Sequence, residues 1–149
     1  MSDTGRLDPL VRHAERREHE GARQLGECRA ALTAGERQLG MLNAYREDYR
    51  ARFAGAAETG VNALRARSYQ AFLRQLDTAI EQTLLTIAQQ QEQLRVAEKD
   101  WLTALGRRRA LAQAAQRRKL RAHRAGERRE QRRLDEHAGS GAQGGLFER

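Results

Sequence analysis

The side chains best suited to catalysis or metal binding in this chain are one cysteine and four histidines. The histidines are His13, His19, His123 and His137. A metal site on a helix needs ligands three or four residues apart, and none of these histidines has a histidine or cysteine partner at that spacing. Cys28 sits among apolar helical positions, which favours a small buried side chain over a reactive thiol. The sequence therefore predicts surface histidines and no metal site.

Acid–base catalysis and phosphate binding also lack the residues they require. A general acid or base needs a carboxyl group whose pKa is raised, whereas the carboxylates here fall on predicted solvated helix faces. A phosphate-binding loop is a glycine-rich turn after a strand, and no segment predicts a strand. Paired helices also lack a concave pocket that excludes water. We therefore predict a protein that is not an enzyme and binds no cofactor.

The composition predicts helices that bury one face each. Charged residues make up 32% of the chain, aromatic residues 5%, and the one proline is Pro9. Alanine, leucine, glutamine, glutamate and arginine dominate, and all lose little rotamer freedom in a helix. The N-terminus lacks the apolar core of a signal peptide, and no apolar run approaches the roughly 20 residues that span a bilayer. We expect a soluble, cytoplasmic protein.

Two long ladders of mostly apolar residues advance in alternating steps of three and four. The first consists of Val11, Ala14, Glu18, Gly21, Leu25, Cys28, Leu32, Gly35, Leu39, Leu42, Arg46, Tyr49 and Phe53. The second consists of Tyr69, Leu73, Leu76, Ile80, Thr83, Ile87, Gln90, Leu94, Ala97, Trp101, Ala104, Arg108, Leu111 and Ala115. A period of 3.5 residues sustained over this length predicts the seam of a coiled coil.

A turn separates the two ladders. Residues 55–62, GAAETGVN, include two glycines and an asparagine, and either Asn62 or Ser68 could cap the second helix. The segment is too short to link separate domains, so the helices should fold back on each other. This arrangement places Gly21 opposite Trp101, where a residue without a side chain accommodates a large ring.

These signals predict an all-α fold, a helical hairpin in which two long helices form an antiparallel coiled coil and the second, longer helix overhangs the first. Asp8 and Pro9 mark the first helix start, because the carboxylate can cap free N–H groups and proline fits the first helical position. The predicted bounds are a single domain over residues 1–137, with helix 1 at about 9–55, a hinge at about 56–63 and helix 2 at about 64–134, and a disordered tail over 138–149.

The net charge of the chain, +8, is concentrated in the predicted overhang. Residues 107–133 hold twelve arginine or lysine residues against Glu127 and Glu130, so this segment carries +10 and the remainder about −2. Such a helix is either a solvated one whose arginines favour the negative end of the helix dipole, or a ligand for an acidic cavity, an anionic membrane or a nucleic acid. Nucleic acid is the weaker option, because no base-reading motif or stacking aromatic accompanies the charge.

A second stripe runs beside the seam, rotated from it by roughly 100° where the two do not share residues. It consists of Gln38, Leu42, Tyr45 and Tyr49 on the first helix and Phe72, Leu76 and Ala79 on the second. The stripe either covers the edge of the seam or is exposed to bind a protein, since aromatic side chains on a rigid scaffold bind at low entropic cost. The residues alone leave both interpretations open, together with pairing of two copies through the stripe.

Three segments of the chain resemble the flagellar export protein family FliJ. They are QLGMLNAYREDYR at 38–50, SYQAFLRQLDTAI at 68–80 and RRLDEH at 132–137, and Trp101 also fits the family. The resemblance implies a cytoplasmic component of the flagellar type III export apparatus, similar to the γ central stalk of rotary ATPases. It also implies three partners, the ring of the export ATPase (FliI), whose assembly the stalk promotes, the export-gate protein FlhA at the inner membrane, and the export chaperones.

The resemblance also implies which residues meet two of these partners. The gate-binding surface of the family falls on the second stripe, Gln38, Leu42, Tyr45, Tyr49, Phe72, Leu76 and Ala79, while Thr83 at the next rung replaces the longer polar side chain expected there. By analogy with the central stalk, the ATPase ring would meet the helix ends, with Arg107, Arg108, Arg117, Arg118 and Arg121. The alternatives are a basic helical protein that binds nucleic acid or an anionic membrane, and the equivalent stalk of a virulence type III secretion system.

Overall fold

The computed structural model describes the backbone of residues 4–60 and 62–144, and the side chains of 5–60 and 62–142. Two helices account for nearly all of it, α1 over Thr4–Glu58 with 55 residues and α2 over Ala63–Gly144 with 82 residues. These described ranges contain no strand. The predicted all-α hairpin is confirmed, and the second helix is the longer one.

Contacts divide the chain into two units. One unit combines Met1–Glu18 with Ala104–Arg149, and the other is His19–Thr103. Within His19–Thr103 the helices run antiparallel, since residues before the turn on α1 contact residues just after it on α2. The prediction of one domain over residues 1–137 stays a prediction.

Both predicted ladders form the packed face of their helices. Every ladder position, from Val11 to Phe53 on α1 and from Tyr69 to Ala115 on α2, is buried or half-buried. The most deeply buried apolar side chains are Leu7, Ala14, Leu25, Leu76, Ile80, Ile87, Ala97 and Ala115. The predicted seam is therefore confirmed, and the many charged residues lie on the other faces of the helices, where they remain solvated.

Helix α1 begins earlier than the predicted start at Asp8 and Pro9. It starts at Thr4, and Pro9 lies inside the helix. Because Pro9 is so close to the helix end, its missing N–H removes one early backbone hydrogen bond without interrupting a long ladder. Leu7 is buried and precedes Val11 by one step of the ladder. Burying a leucine stabilises the fold by roughly 1.5–3 kcal/mol, which favours the additional turn of helix.

Helix α2 continues through residues 138–144, where the sequence predicted a disordered tail. Gly139 and Gly141 each cost about 1 kcal/mol relative to alanine inside a helix. Extending an existing helix nevertheless adds one hydrogen bond per residue and avoids the cost of nucleation, and no proline interrupts this stretch. The remainder of the predicted tail, residues 145–149, lies outside the described residues.

One glycine and one helix cap form the turn between the helices. Gly60 has a φ of +88°, a conformation that glycine adopts without strain. The side-chain Oδ1 of Asn62 accepts a hydrogen bond of 2.8 Å from the backbone N–H of Arg65, which caps α2. Of the two predicted caps, Asn62 is therefore the one used. The hydroxyl of Ser68 instead donates to the carbonyl oxygen of Leu64 at 3.2 Å.

The pairing register within His19–Thr103 matches the predicted one. A Cβ atom built on Gly21 would lie 3.4 Å from the Cα atom of Trp101 and 3.6 Å from its Cβ, so the glycine faces the tryptophan. Arg46, a ladder residue of α1, pairs with Asp77 of α2 at 3.3 Å. Since ion pairs open to solvent contribute at most about 1 kcal/mol, the register depends mainly on the seam.

We expect Gly21→Ala to stabilise the protein by about 0.5–1 kcal/mol. Alanine restricts the unfolded backbone more than glycine does, and its methyl group would meet Trp101 at 3.4–3.6 Å, an ordinary van der Waals distance. Unfolding in urea, followed by circular dichroism, measures the change in the free energy of unfolding.

Two other glycines provide controls for this substitution. A Cβ atom at Gly26 would meet nothing within 4 Å, so Gly26→Ala reports helix propensity alone. A Cβ atom at Gly35 would overlap Oε1 of Gln90 and lie 3.3 Å from Cγ1 of Ile87. Gly35→Ala should therefore gain less stability than Gly26→Ala. A Gly21→Ala variant less stable than the wild type would contradict the spacing of 3.4–3.6 Å between this position and Trp101.

Candidate functional site

Aromatic rings from both helices meet beside the turn. Tyr49 of α1 contacts Phe72 and Tyr69 of α2, with ring centroids 4.4 and 4.9 Å apart. Phe53 contacts Tyr69 at 5.0 Å, and Tyr45 meets Phe72 edge-on at 5.8 Å with an angle of 84° between the rings. Aromatic pairs at such distances stabilise by about 0.5–1.5 kcal/mol beyond their buried area. The cluster therefore holds its rings in fixed positions.

This aromatic cluster has an inner and an outer side. Tyr49, Phe53 and Tyr69 occupy seam positions and are half-buried. Tyr45 lies at the edge of the seam and is 49% exposed, while its neighbour Phe72 is half-buried. The outer side thus presents apolar surface that the two helices do not cover, and neither Tyr45 nor Phe72 is sealed inside.

The other residues expected to bind the gate occupy three environments. Gln38 is exposed, Leu42 and Ala79 are half-buried, and Leu76 is buried with 6% of its surface accessible. Leu76 therefore belongs to the seam and supports the stripe from beneath. Thr83 is half-buried, and its hydroxyl donates a hydrogen bond of 2.8 Å to the carbonyl oxygen of Ala79. That hydroxyl is already used within the helix.

One exposed apolar side chain beside the stripe was not in the predicted set. Met41 is 63% exposed and lies one helical turn before Tyr45. At ~100° per residue it lies roughly 40° further from the seam than Tyr45 does. The four-residue step between them is a usable signal, but the prediction followed only the stripe adjoining the seam. We define the exposed stripe as the exposed residues Gln38, Met41 and Tyr45 together with the half-buried Phe72 and Ala79 beside them.

The basic segment, residues 107–133, is helical throughout. Of the arginines expected to meet the ATPase ring, the exposed ones are Arg107, Arg117 and Arg121, and the half-buried ones are Arg108 and Arg118. The Nε atom of Arg108 is buried and has no hydrogen-bond partner among the described residues. Arg108 is thus part of the helix packing, and the exposed arginines are the better candidates for contact with a partner.

Several carboxylates on the surface are ionised partners of arginine. Glu20 lies 2.6 Å from Arg23, and Glu92 lies 2.7 Å from Arg95. The hydrogen bond and the positive charge of each arginine lower the pKa of its partner carboxyl group. A general acid at neutral pH requires the opposite shift, so these pairs are surface features of the helices.

The described part of the chain lacks both a grouping of metal ligands and a membrane-spanning stretch. His13, His19, His123 and His137 are exposed and Cys28 is half-buried. Among the described residues, no three histidine, cysteine, aspartate or glutamate side chains group together as metal ligands. Neither described helix has a stretch long and apolar enough to cross a membrane.

Comparison with known proteins decides the family. A family model described as "Flagellar FliJ protein" matches residues 2–145. The chain belongs to the FliJ family. A flagellar FliJ protein of Salmonella typhi is 35% identical over 101 residues, which cover 68% of this chain and 69% of that protein. A flagellar FliJ protein of Escherichia coli strain K12 is 30% identical over 138 residues, 93% of this chain and 94% of that protein.

Membership in the FliJ family makes this chain a component of flagellar protein export, in a family of non-enzymatic export components. The matched residues include both helices and the turn, and therefore the exposed stripe and the basic segment. The resemblance in segments 38–50 and 68–80 is thus confirmed. The family and both relatives are flagellar, which favours the flagellar over the virulence-type stalk.

Proposed function

We propose that this FliJ-family protein is a stalk-like coiled coil that links the ring of the export ATPase FliI to the export-gate protein FlhA. It acts by binding alone, without an active site. It promotes assembly of the ring, binds export chaperones, and works in the cytoplasm, peripherally associated with the inner membrane at the flagellar base. The exposed stripe contacts the gate, and the basic segment contacts the ring.

The gate contact is supported above all by the exposed edge of the aromatic cluster. Tyr45 is 49% exposed, and its ring is held edge-on against Phe72 at 5.8 Å. A ring that is already fixed loses little conformational entropy when a partner covers it, which is typical of binding hot spots. The hairpin closes its seam without the outer face of Tyr45. That face is therefore available for FlhA.

The ring contact is supported by charge. The basic segment carries +10 over residues 107–133, and most of its arginines are exposed. A surface of this charge accelerates association with an acidic partner and strengthens it at low ionic strength. The segment lies in the unit that includes Ala104–Arg149, whereas the exposed stripe lies in His19–Thr103. One surface in each unit suits a protein that binds two partners.

The direct test is binding of the purified full-length chain to purified FliI and FlhA from the same organism. Isothermal titration should detect each pairwise complex, and sedimentation should detect all three proteins together. A chain that binds neither partner at low salt would overturn the proposal. Two chains associating through the exposed stripe would instead show a sedimentation mass that rises with the concentration of the chain alone, and FlhA would displace one of the two copies.

Reversing Arg117, Arg118 and Arg121 to glutamate should weaken FliI binding by at least about tenfold at low salt, because repulsion replaces attraction. The loss should shrink as salt increases, since mobile ions screen exposed charges. As a control, Arg65, Arg67 and Arg74 reversed to glutamate change the total charge equally but lie outside the basic segment. Unchanged affinity of the first variant at low salt would contradict the assigned role of the segment.

A second candidate function is supported by the same +10 charge, namely binding to nucleic acid or to an anionic membrane. Its signature is binding to a DNA duplex or to phosphatidylglycerol vesicles that weakens steeply with salt. Such binding without any affinity for FliI would favour this function over the stalk.

A further inference from the structure

The ladder of α2 continues beyond the residues that α1 can cover. Alternating steps of three and four after Ala115 lead to Arg118, Ala122, Ala125, Arg129 and Arg132. Helix α2 is unbroken through all of them. The described part of α1 begins at Thr4, and its first buried ladder residue is Leu7. The ladder positions of α2 from Ala122 onward therefore lack a partner helix from the described part of this chain.

We call the face formed by Ala122, Ala125, Arg129 and Arg132 the open seam. Among residues 119–142, every described side chain is exposed except Ala125, which is half-buried. This exposure is expected of a helix that continues beyond its partner, because its contact face is then open to solvent. The open seam also continues the established helix–helix interface in the same register, so a further helix could pack there as α1 packs on the earlier ladder.

Charge is distributed unevenly around this part of α2. At ~100° per residue, Glu127 lies roughly 180° and Glu130 roughly 120° from the centre of the open seam. Glu127 is also 3.0 Å from Nε2 of His123, on the side away from the seam. The charged residues on the open seam itself are Arg129 and Arg132, both arginines. The next step of the ladder leads to Glu136. Over residues 122–132 the open seam is therefore basic, and it repels a second basic helix there.

The two alanines determine how closely a partner can approach. Small side chains at Ala122 and Ala125 allow a second backbone to come near, because helix separation follows the size of the contact residues. Arg129 and Arg132 can then reach carboxylates on that helix and form charge-assisted hydrogen bonds. Small contact residues beside arginines fit an α-helix that carries aspartate or glutamate along its contact face.

We propose that the open seam receives an acidic helical segment of the partner, which extends the coiled coil in the place that α1 leaves. This inference rests on the proposed function, in which the partner is FliI. It adds which face of α2 makes the contact and what kind of element the partner supplies.

Lipid and nucleic acid fit the same face less well. Leu120 and Leu134 are exposed, but they lie roughly 160° from the open seam and about four turns apart, on the side that also carries Glu127. A helix lying in a membrane surface needs a continuous apolar face, which two separated leucines do not form. Contacts to nucleic-acid phosphates need positive charge alone. They would not explain why the ladder spacing of three and four residues continues here, or why alanine occupies two of its positions.

A pair of matched double variants tests the face. Arg129→Gln with Arg132→Gln removes two charges from the open seam. Arg124→Gln with Arg128→Gln removes two charges from a face that lies roughly 80–120° away. For the full chain binding purified FliI at low salt, we expect at least about a tenfold loss of affinity in the first variant and less than about threefold in the second.

A third variant tests close packing without altering charge. Ala122→Gln with Ala125→Gln keeps good helix formers but fills the contact positions. We expect at least about a tenfold loss of FliI affinity, with helix content by circular dichroism equal to that of the wild type.

The outcomes separate the inference from the proposed function. Equal losses in both arginine variants, with no loss in the alanine variant, would show undirected charge attraction and overturn the open seam while leaving FliI binding intact. Unchanged affinity in all three variants would overturn the open seam alone, because reversal of Arg117, Arg118 and Arg121 tests the ring contact of the basic segment separately. Tighter binding to a DNA duplex or to phosphatidylglycerol vesicles, with the same dependence on the open seam, would overturn the acidic helix as its occupant.

Discussion

Replacing Tyr45 and Phe72 together by alanine should weaken FlhA binding by at least about 30-fold while leaving the hairpin folded. Two aromatic anchors that each contribute about 1–2 kcal/mol account for a loss of this size. Tyr45 is 49% exposed and packs edge-on against Phe72, so removing both rings empties the centre of the exposed stripe. Titration of each variant into FlhA measures the loss.

The fold should survive this double substitution because it replaces no seam residue, although Tyr49 loses its contact with Phe72 at 4.4 Å. Leu76 remains buried, and Tyr49 still contacts Tyr69 at 4.9 Å. Phe72 is half-buried, so we expect a modest loss of stability without a loss of helix content. A fall in helicity comparable to that of Leu32→Ala or Ile87→Ala would mean that the stripe is core.

Removing other exposed apolar surface provides the control for FlhA binding. Leu85 is 68% exposed and lies roughly 140° around α2 from Phe72. Leu85→Ala should leave FlhA affinity unchanged. If it weakened binding as much as the aromatic double variant, the exposed stripe would have no special role. Met41→Ala should show an intermediate loss, since Met41 extends the same stripe.

Ile87→Ala should lower the free energy of unfolding by about 2–4 kcal/mol. Ile87 is buried in the seam, with its Cγ1 atom 3.3 Å from the place where a Cβ atom of Gly35 would lie, and glycine has no side chain to fill a cavity there. Only five long aliphatic side chains are buried among the described residues, so one of them is a large part of a stability of roughly 5–15 kcal/mol. Urea unfolding measures the change.

The same measurement on Leu85→Ala gives the matched control for Ile87→Ala. Because Leu85 is mostly exposed, its loss should change the free energy of unfolding by no more than about 0.5 kcal/mol. Similar losses for the two variants would show that the seam of α2 faces a different direction from the one described above.

The seam could be predicted because the repeat of the helix determines both the spacing of apolar residues in the sequence and which side chains are buried. Residues such as Leu25 and Ile80 recur at 3.5-residue intervals because only that spacing keeps a side chain against the partner helix. The cap at Asn62 was also predictable, since its side-chain oxygen accepts a backbone N–H within the same turn of chain.

The helix ends were harder to predict because several weak effects compete there. The capping signal at Asp8 pointed to a start that the burial of Leu7 overrides. At the other end, glycines suggested disorder, yet α2 extends to Gly144 because propagation costs little. In the second stripe, the residue spacing placed both Tyr45 and Leu76 on the predicted gate-binding surface. Only the packing of the folded chain shows that the tyrosine is exposed and the leucine is buried.

The turn at Gly60 and Asn62 affects whether each helix of this protein pairs within its own chain or with a helix of a second copy. The seam residues are the same whichever copy supplies them, so the ladders cannot distinguish an arm of the same chain from that of a neighbour. The left-handed glycine followed by a helix cap makes the reversal local, which gives the chain's own arm a high effective concentration. Without that reversal, the identical ladders would favour exchange of arms between two chains. The turn thus determines that one molecule completes its own pair.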